Sequence, residues 1–149
     1  MSDRPALSIR PATEADLRFV RASWFESFRH GGYAPQVAFP TYRAGQSFVI
    51  ERCLAKGRCY VAFATEVPDE VVSWVCVERA LGEKPKESGL LHFVYTKQVY
   101  RRLGTAIALT RHAFNALAVP PAEHTHDTKV GRSFAAKIGT KLNPYLLYL

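Results

Sequence analysis

The sequence predicts a mixed α/β fold: one central mixed sheet flanked by helices, in the order β-α-α-β-β-β-α-β-α-β. Three observations predict it. Leu17, Val20, Trp24 and Phe28 recur at the spacing of one helix face, while Arg18, Arg21 and Arg29 fall mostly elsewhere. Two runs rich in β-branched and aromatic residues, CYVAFAT and VVSWVCVE, lie on either side of a short polar stretch. Residues 90–114, LLHFVYTKQVYRRLGTAIALTRHAF, start with strand character and finish with helix character. The length of 149 residues suggests a single domain over 1–149, and a hydrophobic content of 48% with 12% aromatics is enough for one filled core.

Each element follows in order. Leu7 to Arg10 alternates as a short strand and stops at Pro11. Thr13 is the expected N-cap of the first helix, with Glu14 and Asp16 in its first turn, where the helix dipole favours acids. Gly31 and Gly32 end that helix, and residues 33–40 (YAPQVAFP) read as a loop. A second helix is expected from about Tyr42 to Ala55, anchored by Phe48, Val49, Ile50 and Leu54 and stopped by Gly57. Cys59–Thr65 and Val71–Glu78 are strands, joined as a hairpin through Val67-Pro68-Asp69-Glu70. Period two puts Trp74 and Cys76 on one face, and Ser73, Val75 and Val77 on the other. Leu81–Gly89 reads as an exposed loop, and Leu90–Thr96 as the next strand. The helix it feeds runs from Arg102 to about Ala118 and is broken by Pro120-Pro121. Glu123–Thr128 would be a polar strand, Gly131–Ile138 a short helix ending at Gly139, and Asn143–Leu149 a last strand.

Composition narrows the function classes. No apolar run approaches the roughly 18 to 20 residues that span a bilayer, and residues 1–17 lack the apolar stretch of a signal peptide. Cys53, Cys59 and Cys76 show no C-x-x-C spacing, which points away from a disulfide framework or zinc site and towards free thiols in a reducing cytoplasm. The net charge is +7, and it is uneven: from Lys97 onward eight basic residues stand against Glu123 and Asp127, a balance of +6. Such a tail suits an anionic cofactor, a nucleic acid or an acidic partner; the plainer reading is a solvated face.

The turn at 101–106 carries the chemistry. A strand that runs through Arg101, Arg102, Leu103, Gly104, Thr105 and Ala106 into a helix presents free backbone N–H groups and a positive dipole end. Gly104 lets a ligand approach the backbone, Ala106 keeps the first turn slim, and two arginines favour a phosphate or pyrophosphate. The alternative is an ordinary strand–helix turn with surface arginines.

Arg101-x-x-Gly104-x-Ala106 after a strand resembles the R/Q-x-x-G-x-G/A signature of the GNAT acetyltransferase superfamily, and the opening R-P-A-T-x-x-D-L at 10–17 is similar to the start of many GNAT domains. The resemblance spans nearly the whole chain by element order, and residues 7–17 and 90–115 by motif. It implies a GNAT fold and an acetyl-coenzyme A cofactor. The pyrophosphate would sit on Arg101 to Ala106, and the pantetheine arm would lie along Val94, Tyr95 and Thr96. It also implies transfer of an acetyl group to an amine of a small molecule, peptide or protein. The segment between the first two helices would shape the acceptor pocket, through Tyr33, Phe39 and Tyr42; the alternative is that these aromatics pack on the core.

The resemblance breaks at one place. The family often carries a Tyr four residues before a Gly-Phe pair, as proton donor to the departing thiolate. Here the pair reads Gly139-Thr140, and Ala135 stands at the Tyr position. The Asn that often opens this helix is replaced by Thr128 or a neighbour. Ser133, Tyr145 and Tyr148 are substitute donors; the plainer reading of the two tyrosines is strand core or edge aromatics. His92 lies near where the family often keeps an acid, and with an unperturbed pKa of about 6.5 it is a candidate base, against a core histidine as the plainer reading. His124 and His126 would share a strand face; with no third or fourth ligand in view, a polar pocket wall is a better expectation than a metal site. Glu78, at a strand end, either reaches the pocket or is solvated. The family usually adds one further strand, so an open edge or a partner strand, as in a homodimer, is expected. Two other function classes remain: a GNAT-like binding or assembly module without catalysis, and a basic nucleic-acid-associated protein, against which the lack of any helix-turn-helix, zinc-finger or RNP signature weighs.

Overall fold

The structure, a computed structural model, describes residues 6–32, 36–80 and 86–148. Its elements are β1 (Leu7–Pro11), α1 (Glu14–Gly31), α2 (Phe39–Lys56), β2 (Arg58–Ala64), β3 (Val67–Ala80), β4 (Ser88–Thr96), α3 (Thr105–Leu117), β5 (Pro121–His124), α4 (Lys129–Ile138) and β6 (Lys141–Leu142). Short 3-10 turns at Gln98–Tyr100 and Pro144–Tyr148 complete it. The six strands lie in sequence order across one sheet. β1 to β4 are antiparallel neighbours, whereas β5 runs parallel to both β4 and β6. Helices α1 and α2 cover one face, and α3 and α4 the other, so helices flank the sheet on both sides as the sequence predicts. Among the described residues no helix is long and apolar enough to cross a membrane.

The first core layer grows from the α1 stripe. Val20, Trp24 and Phe28 are almost wholly buried, each burial stabilising by about 1.5–3 kcal/mol. Trp24 stacks on Phe93 of β4 at 5.6 Å and meets Trp74 of β3 at 5.3 Å, so one helix face is keyed to the two central strands. The start of α1 is fixed by Asp16, whose Oδ2 accepts from the Thr13 N–H and hydroxyl and from Arg10 Nη1 at 2.6 Å. The Arg10 bond holds the Asp16 carboxyl below its ordinary range and ties the helix to β1. The second layer packs Val75, Val77 and Leu91 against Leu109, Ala113 and Phe114 of α3.

Five sequence expectations are corrected. The β2–β3 turn is Thr65-Glu66, and β3 starts at Val67. Pro68, Asp69 and Glu70 fall where the ladder slips between Ala64↔Val67 and Phe63↔Val71, the place where a residue lacking an N–H disturbs least. Helix α2 starts at Phe39 because Pro40 fits a first helical turn. Its buried stripe is Tyr42, Gln46, Ile50 and Cys53, and Phe48 is exposed. Ser88 and Gly89, expected in a loop, open β4; positions 81–85 of that expected loop and Tyr33 lie outside the described residues. The strand β5 is Pro121–His124, not Glu123–Thr128. Residues 144–148, expected as a strand, form a 3-10 turn: Leu146 and Leu147 are adjacent and both buried, which strand alternation forbids, and Leu146 N bonds back to Asn143 O. Tyr145 and Tyr148 on that turn are therefore exposed and are not strand aromatics.

Candidate active site

The turn after β4 has the shape of an anion seat. Arg102 (φ 65°) and the N-cap Gly104 (φ 78°) are both left-handed. Gly104 fits for two reasons: L side chains avoid that φ, and a Cβ there would point into open space, so the approach to the helix start is clear. The first intrahelical bond shown there is from Ala108 N to Gly104 O, which leaves the N–H groups of Thr105, Ala106 and Ile107 without helical partners. Gly104 makes no side-chain cap, so a ligand is the natural partner for these donors. Arg101 folds back, with Nε donating to Thr96 O at 2.8 Å and the guanidinium 5.8 Å from the Tyr95 ring centre, while Arg102 and Leu103 complete the rim. A diphosphate fits this set of amides and guanidiniums.

Strands β4 and β5 part just below that seat. Their register covers Gly89, Leu90 and Leu91 only, and one more bond runs from Thr125 N to Leu91 O. Beyond it the β4 segment 92–96, with Val94, Tyr95 and Thr96, has no strand neighbour on the β5 side among the described residues. The opening starts at an irregularity in β4, where the pairs Cys76↔Phe93 and Val77↔Leu91 leave His92 as the extra residue.

His92 belongs to a buried chain of hydrogen bonds that sequence reasoning did not foresee. Its Nε2 lies 2.8 Å from Glu78 Oε1, and its Nδ1 lies 3.0 Å from Thr125 Oγ1. Thr125 Oγ1 lies 3.0 Å from His126 Nδ1, and His126 Nε2 lies 3.0 Å from Gln46 Nε2. Arg52 closes the other end, with Nη1 at 2.8 Å from Glu78 Oε1 and Nη2 at 2.9 Å from Leu146 O. Gln46, His92, Thr125, His126 and Glu78 are all buried.

The carboxylate sets the direction of every bond. Glu78 is pushed up by burial, but the hydrogen bond from His92 and the charge of Arg52 outweigh this and hold it below its ordinary range, so it is ionised and accepts. Burial pushes His92 down, against the opposing pull of Glu78, so the ring is neutral with its proton on Nε2. Its Nδ1 then accepts from the Thr125 hydroxyl, which in turn accepts from His126 Nδ1–H. Burial pushes His126 down to about 3, so this ring is neutral too and its Nε2 accepts from the Gln46 amide. Oε1 of Glu78 takes two hydrogen bonds, whereas Oε2 takes none among the described residues.

The expected site residues are thus separated. His92 is enclosed at the β4 irregularity with both ring nitrogens engaged. Glu78 is buried and paired, so its reading as a solvated strand-end carboxylate is corrected. Ser133 is exposed on α4, where Ala135 is buried and offers no hydroxyl. Tyr145 is 76% exposed, one residue before the Leu146 carbonyl that holds Arg52. Tyr42, a candidate pocket aromatic, is in the core and donates to Phe25 O at 2.6 Å. His124 and His126 go to different partners, Thr140 at 2.9 Å and Gln46. Among the described residues no group of three or more His, Cys, Asp or Glu side chains is arranged to hold a metal ion.

No family model and no curated protein matches the chain. Solved structures do. A GCN5-related N-acetyltransferase from Ralstonia eutropha is 20% identical with a TM-score of 0.68, covering 90% of this chain and 92% of that one. A histone acetyltransferase HPA2 and related acetyltransferase from Corynebacterium glutamicum is 21% identical with a TM-score of 0.60, over 90% and 84%. The PaiA N-acetyltransferase from Thermoplasma acidophilum, solved in complex with coenzyme A, is 16% identical with a TM-score of 0.59, over 89% and 87%. The chain therefore has the fold of the GCN5-related N-acetyltransferases.

Proposed function

We propose that this chain is an acetyl-coenzyme A-dependent N-acyltransferase that acetylates an amine. One observation carries the reading: β4 parts from β5 at an irregularity and runs into the open glycine-capped start of α3. That is a slot with a phosphate seat at its mouth, on a fold that a coenzyme A-bound acetyltransferase shares. In this reading the amides of 104–107 with Arg101 and Arg102 hold the pyrophosphate, and Val94, Tyr95 and Thr96 line the arm. The cofactor supplies an acetyl thioester.

The chain's own residues would then manage two protons. Glu78 is the proposed acceptor for the amine proton. A carboxylate held below its ordinary pKa is a weak base towards a free ammonium, whose pKa is about 10. The amine therefore attacks from its neutral form, after its ammonium proton has gone to solvent. Once the C–N bond forms, the remaining N–H is far more acidic, and Glu78 accepts that proton as the C–S bond breaks and the thiolate leaves. His92 keeps Oε1 occupied and leaves Oε2 for the substrate, which makes it a positioning residue. For the thiolate, Tyr145 is the proposed donor and Ser133 the alternative.

The buried Ala135 at the usual tyrosine position favours a second reading, a module that binds the cofactor without transfer. Thiol release separates the two. Incubation with acetyl-coenzyme A and a panel of amines and peptides should free coenzyme A only when an acceptor is present. Cofactor binding without release across the panel would select the second reading.

A further inference from the structure

Three free thiols gather where α2 passes into the sheet: Cys53 near the end of α2, Cys59 in β2 and Cys76 in β3. Cys59 and Cys76 stand directly opposite each other in the antiparallel ladder. The backbone shows which kind of pair they are. Cys59 O accepts from Ala12 N, just past β1, at 2.9 Å. Its backbone groups therefore point towards β1 and away from β3, which makes Cys59–Cys76 a pair without mutual backbone hydrogen bonds. Such pairs are the closer kind, with Cα atoms about 4.5 Å apart. A disulfide takes Cα separations of about 4.4–6.8 Å. Both side chains lie on the α1–α2 face, Cys76 in the core and Cys59 packed against it, and the two thiols are hydrogen-bond partners. Cys76 Sγ also donates to Cys53 O at 3.7 Å, so the contact with Cys53 is to its backbone.

We propose that Cys59 and Cys76 are a reversible modification site, at which a cross-strand disulfide forms by exchange with a small-molecule disulfide such as glutathione disulfide. Access sets the order of events. Cys53 and Cys76 are wholly buried, whereas Cys59 is half-buried and is the thiol that solvent reaches. The Cys59 thiolate attacks one sulfur of the small disulfide, whose S–S bond breaks, and one glutathione leaves with the proton that Cys59 gave up. The Cys76 sulfur, already opposite, then attacks the Cys59 sulfur of the mixed disulfide. The second glutathione leaves with the Cys76 proton. Two protein thiols are oxidised and one small disulfide is reduced to two thiols. Burial pushes the Cys53 thiol up to about 12, and contact with Cys59 followed by burial pushes Cys76 well up, so neither is a first nucleophile. The bridge spans a register position already in place and needs no movement of the strands.

The test incubates the folded, full chain with glutathione disulfide near neutral pH, then counts thiols and maps disulfide-linked peptides by mass. Free thiols should fall from three to one, with Cys59 joined to Cys76, and dithiothreitol should restore all three. The oxidised chain should unfold several degrees above the reduced one, because the bridge closes the β2–β3 hairpin without distorting it. Cys76→Ala should stop at the mixed disulfide, with glutathione held on Cys59. Cys59→Ala should keep both remaining thiols. Circular dichroism checks that each variant is folded, and the peptide map of the parent decides the pairing by itself if either is not. The inference is overturned by any of four results: no loss of thiol from the folded parent, a bridge that includes Cys53, a mixed disulfide that persists on Cys59 of the parent, or an oxidised chain that unfolds at a lower temperature than the reduced one.

Discussion

Replacing Thr125 with valine tests the hydrogen-bond chain on which Glu78 depends. The Thr125 hydroxyl accepts from His126 and donates to His92, each over 3.0 Å, at a position 3% exposed. Valine keeps the shape and removes both bonds. Two buried ring nitrogens are then left unpaired, at about 1–3 kcal/mol each, and with partial relaxation the variant should lose about 2–4 kcal/mol of stability. Thr125→Ser keeps the hydroxyl and gives up one buried methyl, which costs about 1 kcal/mol. Urea unfolding near neutral pH measures the difference. Ring ¹⁵N spectra of the parent should show His92 protonated on Nε2 and bare on Nδ1. A valine variant as stable as the serine variant, or a His92 proton found on Nδ1, would refute the deduced direction of the chain.

Three other outcomes are expected. Burial holds His126 at about 3, so the folded ring refuses a proton that the unfolded ring takes below about pH 6.5. Its contribution to stability is complete above that pH and is lost as pH falls; the loss should reach about 3 kcal/mol near pH 4.5, and His92 and Glu78, both shifted down, add with the same sign. Equal unfolding midpoints near pH 7 and pH 4.5 would contradict it. Arg102→Gln should weaken acetyl-coenzyme A binding several-fold and reduce its salt dependence, because ions screen an exposed guanidinium; affinity unchanged from low to high ionic strength would remove the arginines from the seat. Tyr145→Phe should lower turnover by about 10² or more if its hydroxyl is the proton donor, with cofactor affinity intact; unchanged turnover there, and a loss in Ser133→Ala, would transfer the role to Ser133.

Much of the fold is legible in the sequence because it depends on local signals. Leu17, Val20, Trp24 and Phe28 repeat at helix spacing, and Thr13 and Asp16 mark a start. The third helix, expected from Arg102, instead starts at Thr105, after the left-handed Arg102 and Gly104. What misleads is a local signal that tertiary structure overrides. Pro68 reads as a turn, yet it sits in a strand where the ladder slips. Phe48 reads as a core anchor, yet it falls off the buried stripe Tyr42–Gln46–Ile50–Cys53, on which Gln46 is buried and bonded to His126 Nε2. The proposed phosphate seat lies within six contiguous residues, so a motif is enough to point to it. The Gln46–His126–Thr125–His92–Glu78–Arg52 chain draws on helix α2, strands β3 and β4 and the segment after β5, and no spacing along the sequence brings those residues together. The local hint is the concentration of His, Thr and Asp in EHTHDT, too polar for an ordinary strand.

The central claim is that the start of α3 holds the diphosphate of acetyl-coenzyme A. Calorimetric titration of the cofactor into the parent chain and into Gly104→Val tests it most directly. Valine at φ 78° is strained by about 1–2 kcal/mol and places a branched side chain in the open approach to the amides of Thr105, Ala106 and Ile107. Circular dichroism confirms that the variant is folded at the temperature used. Binding by the parent, with affinity lost at least about tenfold in the folded variant, is the predicted result. Equal affinity in the two chains would place the cofactor elsewhere, and no binding by the parent would contradict the account.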